Sequence, residues 1–337
     1  MGNARMKRRD VLAMAGLASL APLAATAHQN TKPSPPMNAA ERRRELYALL
    51  GDLPARTRPI GAERQQQVER DGYTLETWEL DLNGIEPVPA YLARPTAVSG
   101  RLPAVLFNHS HGGGYKIGKA EFIEGRSYLQ PVPYAKVLTG LGYIGLSIDH
   151  WVFGERSHTT EADMFKAMLW QGQVLWGMMV YDSLRALDFL AGRADVDAAR
   201  LGTLGISMGS TMAWWLAALD ERVKVTVDIC CLTDFHTLLA KKGLSGHGVY
   251  YYVPGLIKRF TTSQINALIA PRAHLGLAGL QDKLTPVEGL DIIDRELTRV
   301  YAQQGHPDRW KLLRYDVGHM ETPEGRREII AFLERFL

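Results

Sequence analysis

The stretch Leu201-Gly202-Thr203-Leu204-Gly205-Ile206-Ser207-Met208-Gly209 decides the fold. Its first six residues form a short, mostly apolar run that predicts a strand, and the apolar residues at 208–219 predict a helix. Its last five residues match the pattern G-x-S-x-G, which also occurs by chance in glycine-rich turns. Between a strand and a helix, this pattern is typical of a sharp turn that projects the serine hydroxyl beyond the sheet. We therefore predict that Ser207 is a nucleophile and that the backbone N–H of Met208 stabilises an oxyanion.

Short apolar runs alternate with helical patterns on both sides of this turn. The runs at 103–108 and 143–148 are continuous, as is typical of parallel strands buried on both faces, and those at 223–230 and 274–278 have the same character. Strands that alternate with helices from about residue 100 onward predict an α/β fold, with a mostly parallel central sheet and helices on both faces. The other predicted elements are strands at 73–82 and 88–92, joined by an Asn83-Gly84 turn, and helices at 38–50, 164–190 and 326–337.

Two later residues fit the partners of a nucleophilic serine. Asp282 follows the predicted strand at 274–278, where a carboxylate can orient an imidazole, and Asp228 at the end of the preceding strand is a rival for this role. His319 lies in a loop before the last predicted helix. Serine, acid and histidine then follow one another in the order of α/β hydrolases. We predict Asp282 as the orienting acid and His319 as the base.

A glycine-rich loop follows the predicted strand at 103–108. Its sequence, His109-Ser110-His111-Gly112-Gly113-Gly114, resembles the HGGG-type loop that supplies a second oxyanion donor. We predict the backbone N–H of His111 as that donor, with Ser110 and Gly112 as alternatives. The sequence has no G-K-[ST] motif and no Cys/His cluster at zinc spacing, so it predicts neither a nucleotide nor a metal site, and no cofactor.

Composition and charge favour one large globular domain. The chain has 337 residues, of which 46% are hydrophobic and 22% charged, which is enough for a substantial buried core. The formal net charge of +3 is carried by the first ten residues, where four basic side chains face one acidic. The positive net charge therefore gives no reason to expect a nucleic-acid partner.

The N-terminal residues are typical of an export signal. A basic segment with paired Arg8-Arg9 precedes a modest apolar run, and Ala25-Thr26-Ala27 offers small residues for cleavage. We predict a twin-arginine-type signal at 1–27, a Pro-rich linker at 28–37 and a single domain at 38–337. The apolar run is too short for a permanent membrane span, so we expect a periplasmic or secreted protein without stable membrane insertion.

Two predicted inserts, near 151–176 and 233–264, would overhang the ends of the strands, where α/β sheets bind ligands. Within them we predict Trp151, His247 and Tyr251 as pocket-lining residues, because aromatic rings with polar tips suit sugar or aromatic esters. The Met- and Trp-rich stretch 164–176 is better explained by packing of a helix face. Glu155-Arg156 is either a structural ion pair or a substrate contact.

Beyond these motifs, the chain resembles the bacterial dienelactone-hydrolase-like and acetyl-xylan-esterase-like α/β hydrolases from about residue 40 onward. The segments that carry the resemblance are 44–54, Pro89-Ala90-Tyr91-Leu92, the 109–114 loop, 149–156, 250–256 and Ile269-Ala270-Pro271-Arg272. The resemblance implies the α/β-hydrolase fold and Ser–Asp–His ester hydrolysis without a metal or organic cofactor. Dienelactone hydrolase itself uses cysteine at the position of Ser207, and the G-C-S-R elbow of glucuronoyl esterases is absent here.

The sequence therefore predicts an exported serine ester hydrolase that acts on a small-molecule or carbohydrate ester. One alternative is a serine peptidase or amidase on the same scaffold, although such peptidases usually carry a propeller or a large cap domain. Another alternative is a non-catalytic binding protein. The presence of all three catalytic residue types argues against it.

Overall fold

The computed structural model describes residues 38–96 and 98–337, so the predicted signal at 1–27 and linker at 28–37 lie outside the described residues. The strands are β1 (Gly61–Arg70), β2 (Tyr73–Asp81), β3 (Val88–Pro95), β4 (Leu102–Asn108), β5 (Ile144–Ile148), β6 (Val196–Ile206), β7 (Val223–Ile229), β8 (Ala273–Gly279) and β9 (Trp310–Tyr315). The helices are α1 (Ala39–Ala48), α2 (Glu121–Glu124), α3 (Tyr134–Gly140), α4 (Glu161–Trp170), α5 (Leu175–Gly192), α6 (Met208–Leu219), α7 (Phe235–Ala240), α8 (Thr262–Ala267), α9 (Val287–Gln303) and α10 (Pro323–Phe336).

These strands form one mixed sheet with the order β1-β2-β3-β5-β4-β6-β7-β8-β9. The pairs from β5 to β9 are parallel, whereas β1, β2 and β3 are added to one side by antiparallel pairing. The mostly parallel α/β sheet predicted from the alternation of strands and helices is therefore confirmed. Because the parallel strands all point the same way, the loops that follow β4 to β9 meet at one edge of the sheet.

Helices cover both faces of the sheet and bury two separate apolar clusters. Along β4, Leu106 belongs to one cluster and its neighbour Phe107 to the other, as the alternation of side chains across a strand requires. Trp214 of α6 packs into the first cluster and Leu333 of α10 into the second. Strands β4 and β8 are buried over their whole length, which explains their continuous apolar sequences.

Several predicted boundaries change in the structure. The helix predicted at 164–190 is two helices, α4 and α5, because Gly172 between them has a φ of +77°, outside the helical region. Strands β1 and β9 and helices α2, α3, α7, α8 and α9 have no counterpart in the sequence prediction, and β6 begins at Val196 rather than at Leu201. Asn38 caps α1 as predicted, with its side chain accepting the N–H of Ala40 at 3.1 Å.

Across the described part of the chain, no helix is both long enough and apolar enough to cross a membrane.

Candidate active site

Ser207 occupies the turn between β6 and α6. Its backbone has a conformation that residues other than glycine rarely adopt. Its φ and ψ are 60° and −119°, and its N–H donates to the carbonyl of Ile229 on the neighbouring strand at 2.9 Å. A Cβ on Gly209 would approach the carbonyl oxygen of Asn108 to 1.9 Å, and one on Gly205 would lie 2.4 Å from Gly209. Both glycines are therefore sterically required, and the turn holds Ser207 half-buried at the carboxyl edge of the sheet.

His319 and Asp282 form a hydrogen-bonded pair at the same edge. The imidazole Nδ1 lies 2.7 Å from Oδ2 of the carboxylate, whose other oxygen accepts the N–H of Leu284 at 2.9 Å. Asp282 is buried and His319 half-buried. Because a carboxylate only accepts hydrogen bonds, Nδ1 carries the proton of the neutral ring and Nε2 carries a lone pair. Nε2 is buried and has no hydrogen-bond partner among the described residues.

Contacts through one cysteine bring this pair next to the serine turn. Cys230 directly follows Ile229, which accepts the N–H of Ser207. Its thiol contacts the carbonyl of Met320 at 3.5 Å, and its sulfur lies within 4.8 Å of ligand atoms of Asp282 and His319. The residues predicted as nucleophile, acid and base are therefore gathered at one edge, although they lie far apart in the chain.

The rival aspartate lies elsewhere. Asp228 accepts a hydrogen bond from Nε2 of His274 at 2.6 Å, and both side chains are completely buried within the sheet. Burial raises the pKa of Asp228, and the hydrogen bond from His274 opposes this effect. Since Asp228 has its own histidine, Asp282 is the aspartate available to His319.

Cys230 was not among the predicted site residues. Together with Asp282 and His319 it is a group of three potential metal ligands. Burial raises the pKa of its thiol well above the ordinary range, which disfavours the thiolate that a metal requires. Asp282 and His319 also already bond to each other, so the arrangement is better suited to proton transfer than to metal binding.

The predicted oxyanion donors differ in availability. The N–H of Ser110 donates to Oε1 of Glu121 at 3.0 Å, so this alternative donor is already engaged. The N–H groups of His111, Gly112 and Met208 have no acceptor among the described residues. A donor set of Met208 with His111 or Gly112 is therefore compatible with the structure.

A buried acid below this loop is a feature that the sequence did not indicate. Glu121 accepts hydrogen bonds from both the N–H and the hydroxyl of Ser110, and that hydroxyl also contacts the hydroxyl of Tyr128. The ring of Tyr128 stands edge-on to His319, with 6.4 Å between ring centroids. Arg126 lies 3.6 Å from Glu121. The hydrogen bonds of Glu121 and Tyr128 with Ser110 thus connect the glycine-rich loop to the ring that packs against His319.

Replacing Glu121 with glutamine is expected to change the pH dependence of stability. Burial raises the pKa of Glu121 from 4.5 to about 7, so between these values the folded state binds a proton that the unfolded chain has released. The contribution of Glu121 to the free energy of unfolding therefore falls as pH rises from about 4.5 to about 7. Urea unfolding at several pH values should show wild type losing on the order of 2 kcal/mol relative to Glu121→Gln over this range. A difference that does not vary with pH would contradict the assignment.

The predicted pocket residues separate into two kinds. Trp151 is 3% exposed, and the guanidinium carbon of Arg156 lies 4.3 Å from the centre of its ring, so Trp151 belongs to the core rather than to a pocket surface. Tyr251 is 6% exposed, stacks under His247 at 4.7 Å between ring centroids, and lines a separate, apolar cavity. Only His247 is half-buried and lines a cleft beside the candidate site.

Glu155 and Arg156 do not pair with each other, which was one of the two possibilities raised by the sequence. Arg156 is buried and donates to Glu86 at 2.6 Å and to Asp182 at 2.9 Å, whereas Glu155 pairs with Lys119. Arg156 is therefore a structural residue that ties the loop after β5 to α5. The second possibility raised by the sequence, a substrate contact, is not supported for the buried Arg156 and stays a prediction for the exposed Glu155.

Comparison with known proteins places the chain among esterases of similar fold. The family model for acetyl xylan esterase (AXE1) matches residues 61–263. YtaP of Bacillus subtilis (strain 168), which is named as a hydrolase, is 53% identical over 298 residues, which cover 88% of this chain and 99% of YtaP. A Bacteroides fragilis NCTC 9343 structure described as an acetyl xylan esterase has a TM-score of 0.66 at 21% identity, covering 88% of this chain and 81% of that one. A glucuronoyl esterase from Solibacter usitatus has a TM-score of 0.61 at 17% identity, with coverages of 87% and 91%. At these identities the two structures support the α/β fold alone.

Proposed function

Because the chain belongs to the acetyl xylan esterase (AXE1) family and is thereby a carboxylic ester hydrolase, we propose that Ser207, His319 and Asp282 cleave esters by a two-step acyl transfer. In the first step, Nε2 of His319 takes the hydroxyl proton as the oxygen of Ser207 attacks the ester carbonyl carbon. His319 then gives this proton to the alcohol oxygen, the bond to the alcohol breaks, and the acyl group remains on Ser207.

In the second step, water replaces the alcohol. His319 takes a proton from the water molecule as the water oxygen attacks the acyl carbon. The proton then passes to the oxygen of Ser207 when the carboxylic acid product leaves. Asp282 accepts the hydrogen bond from Nδ1 and stabilises the imidazolium that forms twice in the cycle. The backbone N–H groups of Met208 and His111 donate to the oxygen that becomes negatively charged in both tetrahedral intermediates.

The observation that carries this proposal is the 2.7 Å hydrogen bond between Nδ1 of His319 and Asp282. It leaves the lone pair on Nε2, the atom that must accept a proton. The available N–H groups of Met208 and His111 and the turn of Ser207 at the same sheet edge support the same mechanism.

We propose acetylated or other carbohydrate esters as substrates, since the family is named for the cleavage of acetyl groups from xylan. The proposal is tested by measuring kcat/KM on acetylated xylo-oligosaccharides, methyl uronates, feruloyl esters, p-nitrophenyl acetate and peptide p-nitroanilides. Turnover of esters with little or no turnover of anilides is expected. Faster turnover of anilides than of every ester would favour the peptidase alternative, and family membership already disfavours a non-catalytic binding protein.

We also propose that the protein is exported. This proposal is supported by the basic segment, the apolar run and the small residues at 25–27, and it depends on sequence alone.

A further inference from the structure

A cleft whose wall carries several hydroxyl and charged groups opens between three loops at the carboxyl edge of the sheet. We infer that it binds the sugar ring of a carbohydrate ester, an inference that rests on the proposed function. Its volume is about 500 Å³, within the range of small-molecule sites. It is lined by Tyr115 and Lys116 after β4, by Ser157, Thr159, Thr160, Glu161 and Ala162 after β5, and by His247, Gly248 and Val249 after β7.

The cleft lies between the glycine-rich loop and the loop of the proposed acid. On one side, Glu161 accepts a hydrogen bond from Nε2 of His111 at 2.9 Å. On the other side, Nε2 of His247 donates to the carbonyl of Leu284 at 3.1 Å, two residues beyond Asp282. Burial lowers the pKa of His247, which keeps its ring neutral at neutral pH. A ring bound in the cleft would therefore lie beside the ester that the proposed site attacks.

The chemistry of the wall suits a ring that carries hydroxyl groups. Tyr115 donates its hydroxyl proton to Glu161 at 2.6 Å, Ser157 donates to the carbonyl of Gly154 at 2.5 Å, and Thr160 donates to Asp163 at 2.8 Å. The protons of these hydroxyls are therefore engaged, so a ligand would meet oxygen lone pairs rather than protons. The oxygen of Thr160 already accepts the N–H of Asp163 at 3.1 Å, and that of Tyr115 lies 3.1 Å from Nε2 of His111, so the oxygen of Ser157 is the acceptor of the three with no second partner among the described residues. Sugar hydroxyls can donate to such acceptors, whereas an aliphatic acyl chain cannot.

One buried carboxylate holds the three loops in place. Glu161 is 6% exposed and accepts hydrogen bonds from His111, Tyr115 and the N–H of Tyr250, the last at 2.8 Å. Burial alone would raise the pKa of Glu161, but these hydrogen bonds outweigh burial and lower it, so the group stays ionised. The cleft is thus formed before any ligand binds, which lowers the entropic cost of binding.

A second cavity does not compete for this role. It has a volume of about 170 Å³ and is lined by apolar side chains, among them Phe235, Leu238 and Ile257. Such a wall offers few acceptors for sugar hydroxyls. Of these two cavities, the cleft beside Glu161 has the chemistry that better matches a carbohydrate.

The inference is tested by filling the cleft. Ala162 is exposed in the first turn of α4 and lines the cleft, so an indole in Ala162→Trp occupies the space of the ring. Ala167→Trp is the matched control, because Ala167 is exposed on the same helix and does not line the cleft. The readout is kcat/KM for an acetylated xylo-oligosaccharide and for a methyl glucuronate, each divided by kcat/KM for p-nitrophenyl acetate. Thr159→Trp, on the loop before the helix, provides a second variant in case the first fails to fold.

We expect Ala162→Trp and Thr159→Trp to lower at least one of these ratios by about tenfold or more, mainly through KM, and Ala167→Trp to leave both unchanged. If only the ratio for the acetylated sugar falls, the ring lies on the alcohol side of the ester. If only the ratio for the methyl glucuronate falls, the ring lies on the acyl side. Unchanged ratios in both folded cleft variants would overturn the inference. So would a wild-type enzyme that cleaves p-nitrophenyl acetate but neither sugar ester, a result that leaves the proposed mechanism intact. Failure to cleave any ester would instead refute the proposed function.

Discussion

Ser207→Ala is expected to lower kcat for p-nitrophenyl acetate by at least about 10⁴-fold while the protein stays folded. The variant lacks the oxygen that forms the acyl-enzyme, so only the oxyanion donors and substrate binding remain to assist attack by water. KM should change little, because the hydroxyl acts on the transition state more than on the bound ester. The measurement is steady-state hydrolysis, with circular dichroism as a check of folding.

Ser210→Ala is the matched control. Ser210 lies one turn further along α6, where its hydroxyl contacts Asp228 at 3.5 Å in the buried sheet. It contacts none of the proposed catalytic groups, so near-wild-type hydrolysis is expected from this variant. Activity near wild type in Ser207→Ala, or an equal loss in both variants, would refute the assignment of the nucleophile.

Asp282→Asn is expected to lower kcat by about 10³- to 10⁴-fold. An amide that donates a proton to Nδ1 of His319 would leave the ring proton on Nε2, the atom that must accept the proton of Ser207. The substitution nearly preserves side-chain shape, so folding and KM should be largely retained. Steady-state kinetics together with urea unfolding separate this catalytic effect from a loss of stability.

Asp228→Asn distinguishes the two aspartates. Its partner His274 is completely buried and away from the proposed site, so this variant should lose stability and keep most of its kcat. The reverse pattern, in which Asp228→Asn abolishes turnover and Asp282→Asn does not, would exclude Asp282 as the orienting acid.

The elements closest to the serine turn were the most predictable. Strand β6 and helix α6 follow directly from an apolar run, two glycines and a helical pattern, and the helix bounds match the prediction. The parallel sheet followed from local alternation, because strands buried on both faces are apolar throughout. These features depend on short stretches of sequence, which is why one chain is sufficient to predict them.

The edges of the sheet were not predicted, for physical reasons that differ between them. Every residue of β1 is exposed, so its sequence has no apolar alternation. Strand β9 is buried at Trp310, exposed at Lys311 and half-buried over its last four residues. Helix α9 is different. It buries Leu290, Ile293 and Leu297 at helical spacing, a signal that was present in the sequence and was overlooked.

The surroundings of the site could not be derived from local patterns. Glu161 meets His111 and Tyr250 across 50 and 89 residues of chain, and Glu121 reaches Ser110 from a short helix. Trp151 was expected to line a pocket but is covered by Arg156, whose guanidinium has acidic partners far away in the sequence. An aromatic residue near a predicted site has the same local pattern whether it faces a ligand or the core.

The most direct test is to identify the residue that a fluorophosphonate modifies in the active, folded enzyme. Such a reagent phosphonylates a serine only where a base and oxyanion donors activate its hydroxyl. Mass spectrometry of the digested protein should find one adduct, on Ser207, formed in parallel with the loss of esterase activity and absent in His319→Ala. Inactivation by an adduct on another residue, or an active enzyme whose Ser207 stays unmodified, would contradict the account.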